Sequence, residues 1–303
     1  MSPFADALVL TGPTGSGKTA VACELAPRLN AEIVALDSMT VYRGMDVGTA
    51  KPSKSERETV PHHLIDVLDP WESANVAWWL EKAEIACAEI RSRGRRPLFV
   101  GGTPFYLKAL LCGLFPAPPV DPDLRTSLEA EAARIGNGAF HDKLAGVDPK
   151  AAARLHPNDV RRVVRALEVH ALTGRPISEF QQTWDSPAAI PCVALDLPRD
   201  DLYARIDARV LAMLDGGWLD ECRRLKSLPR PLGKEASQAL GYRDLFDFVA
   251  GRIPWEETVA TIQTHTRQFA KRQLTWFRSL NCCVPVPAND IDAIERSVLS
   301  LPG

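Results

Sequence analysis

Residues 12–19 read GPTGSGKT and directly follow the apolar run ADALVLT. No other feature constrains the fold as strongly. A G-x-x-x-x-G-K-[ST] loop works where a buried strand ends and a helix begins, because its N–H groups must converge on a polyphosphate at the helix N-terminus. Gly12, Gly15 and Gly17 give the loop its turns, and Pro13, Thr14 and Ser16 complete the cradle. Lys18 neutralises phosphate charge, and the Thr19 hydroxyl can hold Mg²⁺. The loop specifies a diphosphate without saying whose.

The helix after the loop should run from about Gly17 to Leu29. AEIVALD, LIDVLD and RPLFVGG then read as further strands, with long helices over SANVAWWLEKAEIACAEIRSRG and TPFYLKALLCG. Continuously apolar strands alternating with helices predict a parallel sheet covered on both faces. The pattern breaks at PAPPVDPD, residues 116–123, where prolines interrupt it. From there to residue 189 the periodicity is helical. One helix starts near Asp123, and another covers DVRRVVRALEVHALTG with Val160, Val163, Val164, Leu167 and Ala171 on one face. Strand character returns at PCVALDLP, and helices follow at about 201–214, 217–226, 235–250 and 254–280. The expected architecture is α/β: a P-loop NTPase-like parallel sheet core with C-terminal helices over 1–116 and 190–303, interrupted by a mostly helical insertion domain over 117–189.

Ligands of open parallel sheets bind beyond the carboxyl ends of the strands. Three loops of unusual chemistry lie there: GPTGSGKT, DSMTVY at 37–42 and GGTPFY at 101–106. Asp37 could organise Mg²⁺ as in a kinase, accept a proton as a general base, or cap its own turn. Thr103 could bond a phosphate or bridging oxygen, or cap the next helix. Gly101 and Gly102 permit close backbone approach to a ligand.

The net charge of −2 means that any basic surface is local. Arg161, Arg162 and Arg165 lie on the insertion helix, and Arg267, Lys271 and Arg278 on the last long helix, where Ala270, Leu274 and Phe277 form the core-facing side. Such faces suit a nucleic-acid backbone or are simply solvated. Arg205, Arg209, Arg223 and Arg224 could clamp a pyrophosphate or pair with Asp207, Asp215 or Glu221. Seven scattered cysteines without zinc spacing read as reduced thiols. Charges or prolines interrupt every apolar run, and the N-terminus has no signal-peptide pattern. A cytoplasmic protein without membrane attachment is expected.

In chain order, GPTGSGKT, DSMTVYRGMDVGTAKP, PHHLIDV, FVGGT, RLHPNDVRRVVRALEV, SQALGYRD and QFAKRQLTWFR together resemble the tRNA dimethylallyltransferases. The resemblance covers about residues 6–280 and is of the bacterial type without a zinc finger. It implies transfer of a dimethylallyl group from dimethylallyl diphosphate to N6 of the adenosine 3′-adjacent to the anticodon. The partners implied are the tRNA anticodon stem-loop and the donor, with Mg²⁺ as cofactor and the chain acting as a monomer. Residues 12–19 then hold the donor diphosphate, with Arg209. Asp37 is the general base, Thr103 the loop threonine near the reacting centre, and Lys18 and Arg209 catalytic cations. The resemblance assigns tRNA contacts to Asp37, Ser38, Met39, Thr40, Thr103, Arg125, Arg161, Arg162, Val163, Val164, Arg165, Gln238, Ala239, Leu240, Gly241, Tyr242 and Arg243. This chain has Thr40 where the family usually has Gln, and Pro104-Phe105 where it has Gly-Leu.

Three other readings compete. A small-molecule or nucleoside kinase would use the same loop but leaves the basic helices unexplained. An adenylate isopentenyltransferase would have no use for the insertion. A nucleotide-dependent RNA-binding switch lacks a guanine-reading N-K-x-D motif.

Overall fold

The computed structural model describes residues 3–115, 118–181 and 190–300. Packing divides the chain into two compact units, Met1–Leu111 with Ala188–Gly303, and Cys112–Pro187. Residues 116–117 and 182–189, where the expected boundaries fall, lie outside the described residues.

The first unit is built on one six-stranded, wholly parallel sheet. Its elements run β1 (Leu8–Thr11), α1 (Lys18–Arg28), β2 (Ala31–Ala35), α2 (Lys54–Thr59), β3 (His62–His63), α3 (Val76–Ser92), β4 (Arg96–Val100) and α4 (Pro104–Cys112). The second unit holds α5 (Pro122–Ile135), α6 (Asn137–Val147), α7 (Pro149–Arg154), α8 (Val160–Thr173) and α9 (Ile177–Phe180). The first unit resumes with β5 (Cys192–Asp196), α10 (Arg199–Asp215), α11 (Trp218–Lys226), a 3₁₀ turn (Ala236–Gln238), α12 (Tyr242–Val249), α13 (Trp255–Arg278), β6 (Cys283–Pro287) and α14 (Ile291–Ser300). The strand order is β3-β2-β4-β1-β5-β6. No helix among the described residues is long and apolar enough to cross a membrane.

β1 and β2 are buried along their whole length, as strands covered on both faces must be. On one face Leu8, Leu10, Leu98 and Val193 pack with Ala22 and Leu25 of α1 and Ile294 and Val298 of α14. Elsewhere Trp79 packs edge-on to Phe99 and donates its indole N–H to Ala35 O at 3.1 Å. Burying the indole therefore leaves no polar group unpaired.

Two expectations of strand structure need correction. LIDVLD is not a strand: only His62–His63 pairs with β2, and Leu64 and Asp66 have φ of +62° and +57°. The chain turns there because Asp66 reaches the Nζ of the buried Lys51, which also donates to Tyr42 O, both at 2.5 Å. Conversely, CVPVP forms β6, paired in register with β5 from Cys192↔Cys283 onward. Its prolines are tolerated because β6 is an edge strand with one partner.

In the second unit, α8 begins at an Asp159 cap and ends at Gly174, whose φ is +70°. Its buried face is Val163, Val164, Ala166, Leu167 and Val169, packed on Leu128, Phe140 and Leu144. Ala171, assigned to that face from periodicity, is exposed.

Candidate active site

The loops after β1, β2 and β4 open onto one cleft of about 650 Å³. Lys18, Thr19, Asp37, Thr103 and Arg209 all line it. These elements converge because β1 and β2 both neighbour β4 in the sheet, so their carboxyl ends lie side by side. Arg209 comes from α10, whose Leu202 and Ile206 are buried against Ala270 of α13.

Gly17 precedes α1 with φ +88°, a left-handed backbone that favours glycine. The Lys18 amine donates to Gly12 O at 2.9 Å and Pro13 O at 2.7 Å, so it lies over the loop. Burial, then the nearby Arg209, pushes its pKa down to about 7. Burial lowers Arg209 as well, with Asp37 opposing the shift. Neither cation has a carboxylate within ion-pair distance among the described residues. Two such cations in one cleft mark a site for an anion. Ser16 is 1% exposed, and its Oγ has no hydrogen-bond partner among the described residues.

Asp37 Oδ1 accepts from Met39 N at 2.8 Å and Thr40 N at 3.2 Å, fixing a tight turn after β2. Oδ2 has no hydrogen-bond partner among the described residues. Burial raises the carboxyl pKa above its usual value, against those two donors, Lys18 and Arg209. One oxygen of this cleft-lining carboxylate caps the turn and the other is left uncommitted among the described residues. Thr103 Oγ1 accepts from Ser38 N at 3.1 Å, which bonds the third loop to the second. Its hydroxyl proton can still donate into the cleft.

The Thr19 hydroxyl offers a hard oxygen donor in the cleft, which fits Mg²⁺. No group of three or more His, Cys, Asp or Glu that could hold a metal occurs among the described residues. Diphosphate oxygens and water would complete the ion's shell.

Some residues expected at an RNA surface are buried or are tied to a buried group. Val163 and Val164 are core residues of the helical unit. Arg125 and Arg165 both bind Glu168, which is fully buried, each at 2.6 Å. Arg161 and Arg162 are the exposed arginines of that stretch. In 238–243, Gln238 and Arg243 are exposed, whereas Ala239, Gly241 and Tyr242 are buried. Thr40 lines the cleft, and its buried hydroxyl has no partner among the described residues. Arg205 is exposed and outside the cleft lining. Arg267 is paired with Asp207 and Arg223 with Asp220.

Sequence reasoning missed Gln273. It is 2% exposed and lies in the cleft beside Phe269 and Arg272 of the same helix. It also missed the role of Gly101 and Gly102. A Cβ on Gly101 would stand 2.0 Å from Leu36 O, and one on Gly102 2.6 Å from Gln273 Nε2. These glycines admit other parts of the protein. The signal was the Gln inside KRQLTW, overlooked in a segment read for its cations.

A family model described as IPP transferase matches residues 40–280, and one described as isopentenyl transferase matches 5–66. A tRNA dimethylallyltransferase of Roseiflexus sp. (strain RS-1) is 46% identical over 291 residues, covering 96% of this chain and 95% of the relative. One from Geobacter metallireducens is 47% identical over 274 residues, covering 89% of each. Among solved structures, a full-length tRNA isopentenylpyrophosphate transferase of Bacillus halodurans is 39% identical with TM-score 0.72, covering 98% of this chain and 97% of the other. A eukaryotic dimethylallyltransferase acting on tRNA is 27% identical with TM-score 0.79, covering 97% of this chain and 76% of the other.

Proposed function

The chain belongs to the IPP transferase family, and from that premise we propose that its cleft transfers a dimethylallyl group from dimethylallyl diphosphate to tRNA. The acceptor is the exocyclic N6 amine of the adenosine 3′-adjacent to the anticodon. The observation that carries this reading is one cleft holding a phosphate loop, two cations without carboxylate partners among the described residues and a carboxylate with one oxygen uncommitted among them. The leaving group and the proton acceptor of such a transfer need just these groups.

The N6 amine is a weak nucleophile, because its lone pair is delocalised into the purine. As that pair forms the C–N bond at the allylic C1, the C1–O bond breaks and its electrons leave on diphosphate. The amine proton passes to Asp37. The raised pKa of Asp37 makes it a stronger acceptor, and general-base assistance of this kind contributes about 10²–10⁴-fold. Lys18, Arg209 and the loop N–H groups stand where negative charge accumulates on the leaving diphosphate. Mg²⁺, held through Thr19 and diphosphate oxygens, would supply further charge neutralisation. Thr103, tied to Ser38, offers its hydroxyl proton to an oxygen of the donor. The target base must leave its stack to enter the cleft, at a cost of a few kcal/mol. In the first unit the exposed Gln238 and Arg243, and in the second the exposed Arg161 and Arg162, would each contact RNA, largely through its backbone. The chain acts as a cytoplasmic monomer in this reading.

Purified protein, Mg²⁺, unmodified tRNA and labelled dimethylallyl diphosphate test the proposal. Label should appear on tRNA without ATP and disappear when the target adenosine is replaced. ATP turnover without transfer to tRNA would favour the kinase reading instead.

A further inference from the structure

Gln273 joins two of the three loops through a single side chain. Its Oε1 accepts from Thr14 N at 2.8 Å, and its Nε2 donates to Gly102 O at 2.5 Å. Thr14 belongs to the diphosphate loop. Gly102 precedes Thr103, whose Oγ1 accepts from Ser38 N, and Ser38 follows Asp37. A continuous path of short contacts thus runs from the cradle of the leaving group to the loop of the proton acceptor. Gln273 is the side chain that joins the first and third loops in this path.

We propose that Gln273 is a positioning residue that sets the separation between the diphosphate cradle and the Asp37–Thr103 side of the cleft. This rests on the prenyl-transfer reading above. Displacement at C1 needs the entering nitrogen and the leaving oxygen in line, so the two sides must keep a fixed spacing. A misplacement of about 1 Å in such an arrangement costs about 10²-fold in rate.

Residue chemistry singles out glutamine here. Thr14 N can only donate and Gly102 O can only accept, so the position requires an acceptor and a donor on one planar group. An ionised Glu lacks the donor, Lys lacks the acceptor, and Asn is one methylene short. Gly102 has no Cβ, which leaves Nε2 its room. The support is rigid too. Ala270, one turn earlier on α13, is fully buried against Leu202 and Ile206 of α10, the helix that carries Arg209. One packed helix pair therefore places both Arg209 and Gln273.

Two variants test this in steady-state prenyl transfer to tRNA. Gln273→Met keeps the length and removes both hydrogen bonds. Its kcat should fall by roughly 10²-fold, while KM for dimethylallyl diphosphate changes by less than about threefold. Gln273→Glu regains a donor toward Gly102 O only when protonated. Its activity relative to wild type should rise as pH falls from about 8 to about 6, with no such rise for Gln273→Met. The inference is overturned if kcat of Gln273→Met stays within about twofold of wild type, or if its loss lies in KM alone. A flat ratio for Gln273→Glu overturns it as well, and decides the matter if Gln273→Met does not fold. Wild-type protein in the same assay tests the reading underneath: without transfer by wild type, that reading falls and this inference with it. Normal wild-type transfer beside unimpaired variants removes the inference alone.

Discussion

Asp37 and Lys18 share a cleft in which burial drives both toward their neutral forms, the carboxyl upward and the amine down to about 7. The proposed transfer needs both of them charged. In the free protein, proton acceptance by Asp37 is gained as pH rises through its raised pKa. The Lys18 charge that attracts diphosphate is present below about pH 7 and lost above it. Since kcat/KM reports the free enzyme, its profile should be a bell with an alkaline limb near the Lys18 value. Bound diphosphate favours the charged amine, so the same limb in kcat should lie at higher pH. Asp37→Asn should lower kcat by about 10²–10⁴-fold and leave tRNA binding intact. Lys18→Arg carries a guanidinium that stays charged, so it should lower kcat/KM yet abolish the alkaline limb. An unchanged alkaline limb in that variant would remove Lys18 as its source.

At the scale of elements, what the sequence disclosed follows burial. β1, β2, β4 and β5 were legible as continuous apolar runs, the mark of strands covered on both faces. β6 was not, because Pro285 and Pro287 argue against a strand unless it lies at an edge, and edge position is a property of the assembled sheet. LIDVLD misled because its apolar residues suggested a strand, while its conformation is set by Asp66 reaching Lys51, 15 positions away. The GMDVG segment shows the same long-range control. The buried Glu221 of α11 accepts from the N–H groups of Asp46, Val47 and Gly48 and from the Tyr242 hydroxyl. Glu221→Gln turns an amide NH₂ toward these donors and should lower stability by roughly 2–4 kcal/mol. Tyr242→Phe, which loses one bond, should cost about 1 kcal/mol. Urea midpoints measure both. Wild-type stability in Glu221→Gln would mean that the Trp218–Tyr242 packing, with ring centroids 5.5 Å apart, holds the segment instead.

For the molecule as a whole, the phosphate loop and family-like motifs made the reaction class legible, because each is a local pattern with its own chemistry. Division of labour among the arginines was not legible, since it depends on which cations have internal partners. Gln273 was hidden for the same reason: its two partners lie 259 and 171 positions away. With a net charge of −2, the chain has no global attraction for RNA, so binding must rest on particular exposed cations. Arg165 and Arg125 are committed to the buried Glu168, with Arg165 also donating to Pro118 O at 2.7 Å. Arg161 and Arg162 face solvent. Removing a phosphate-binding arginine reduces the slope of log affinity against log salt by about one. Arg161→Ala and Arg162→Ala should each do so in tRNA binding, with stability unchanged. Arg165→Ala should leave Glu168 short of a partner and destabilise the Cys112–Pro187 unit by about 1–3 kcal/mol, with little effect on the slope. If Arg165→Ala instead kept its stability and flattened the salt dependence as the other two do, its bond to Glu168 would be exchangeable for one to phosphate. The distinction between structural and RNA-facing arginines on α8 would then fail.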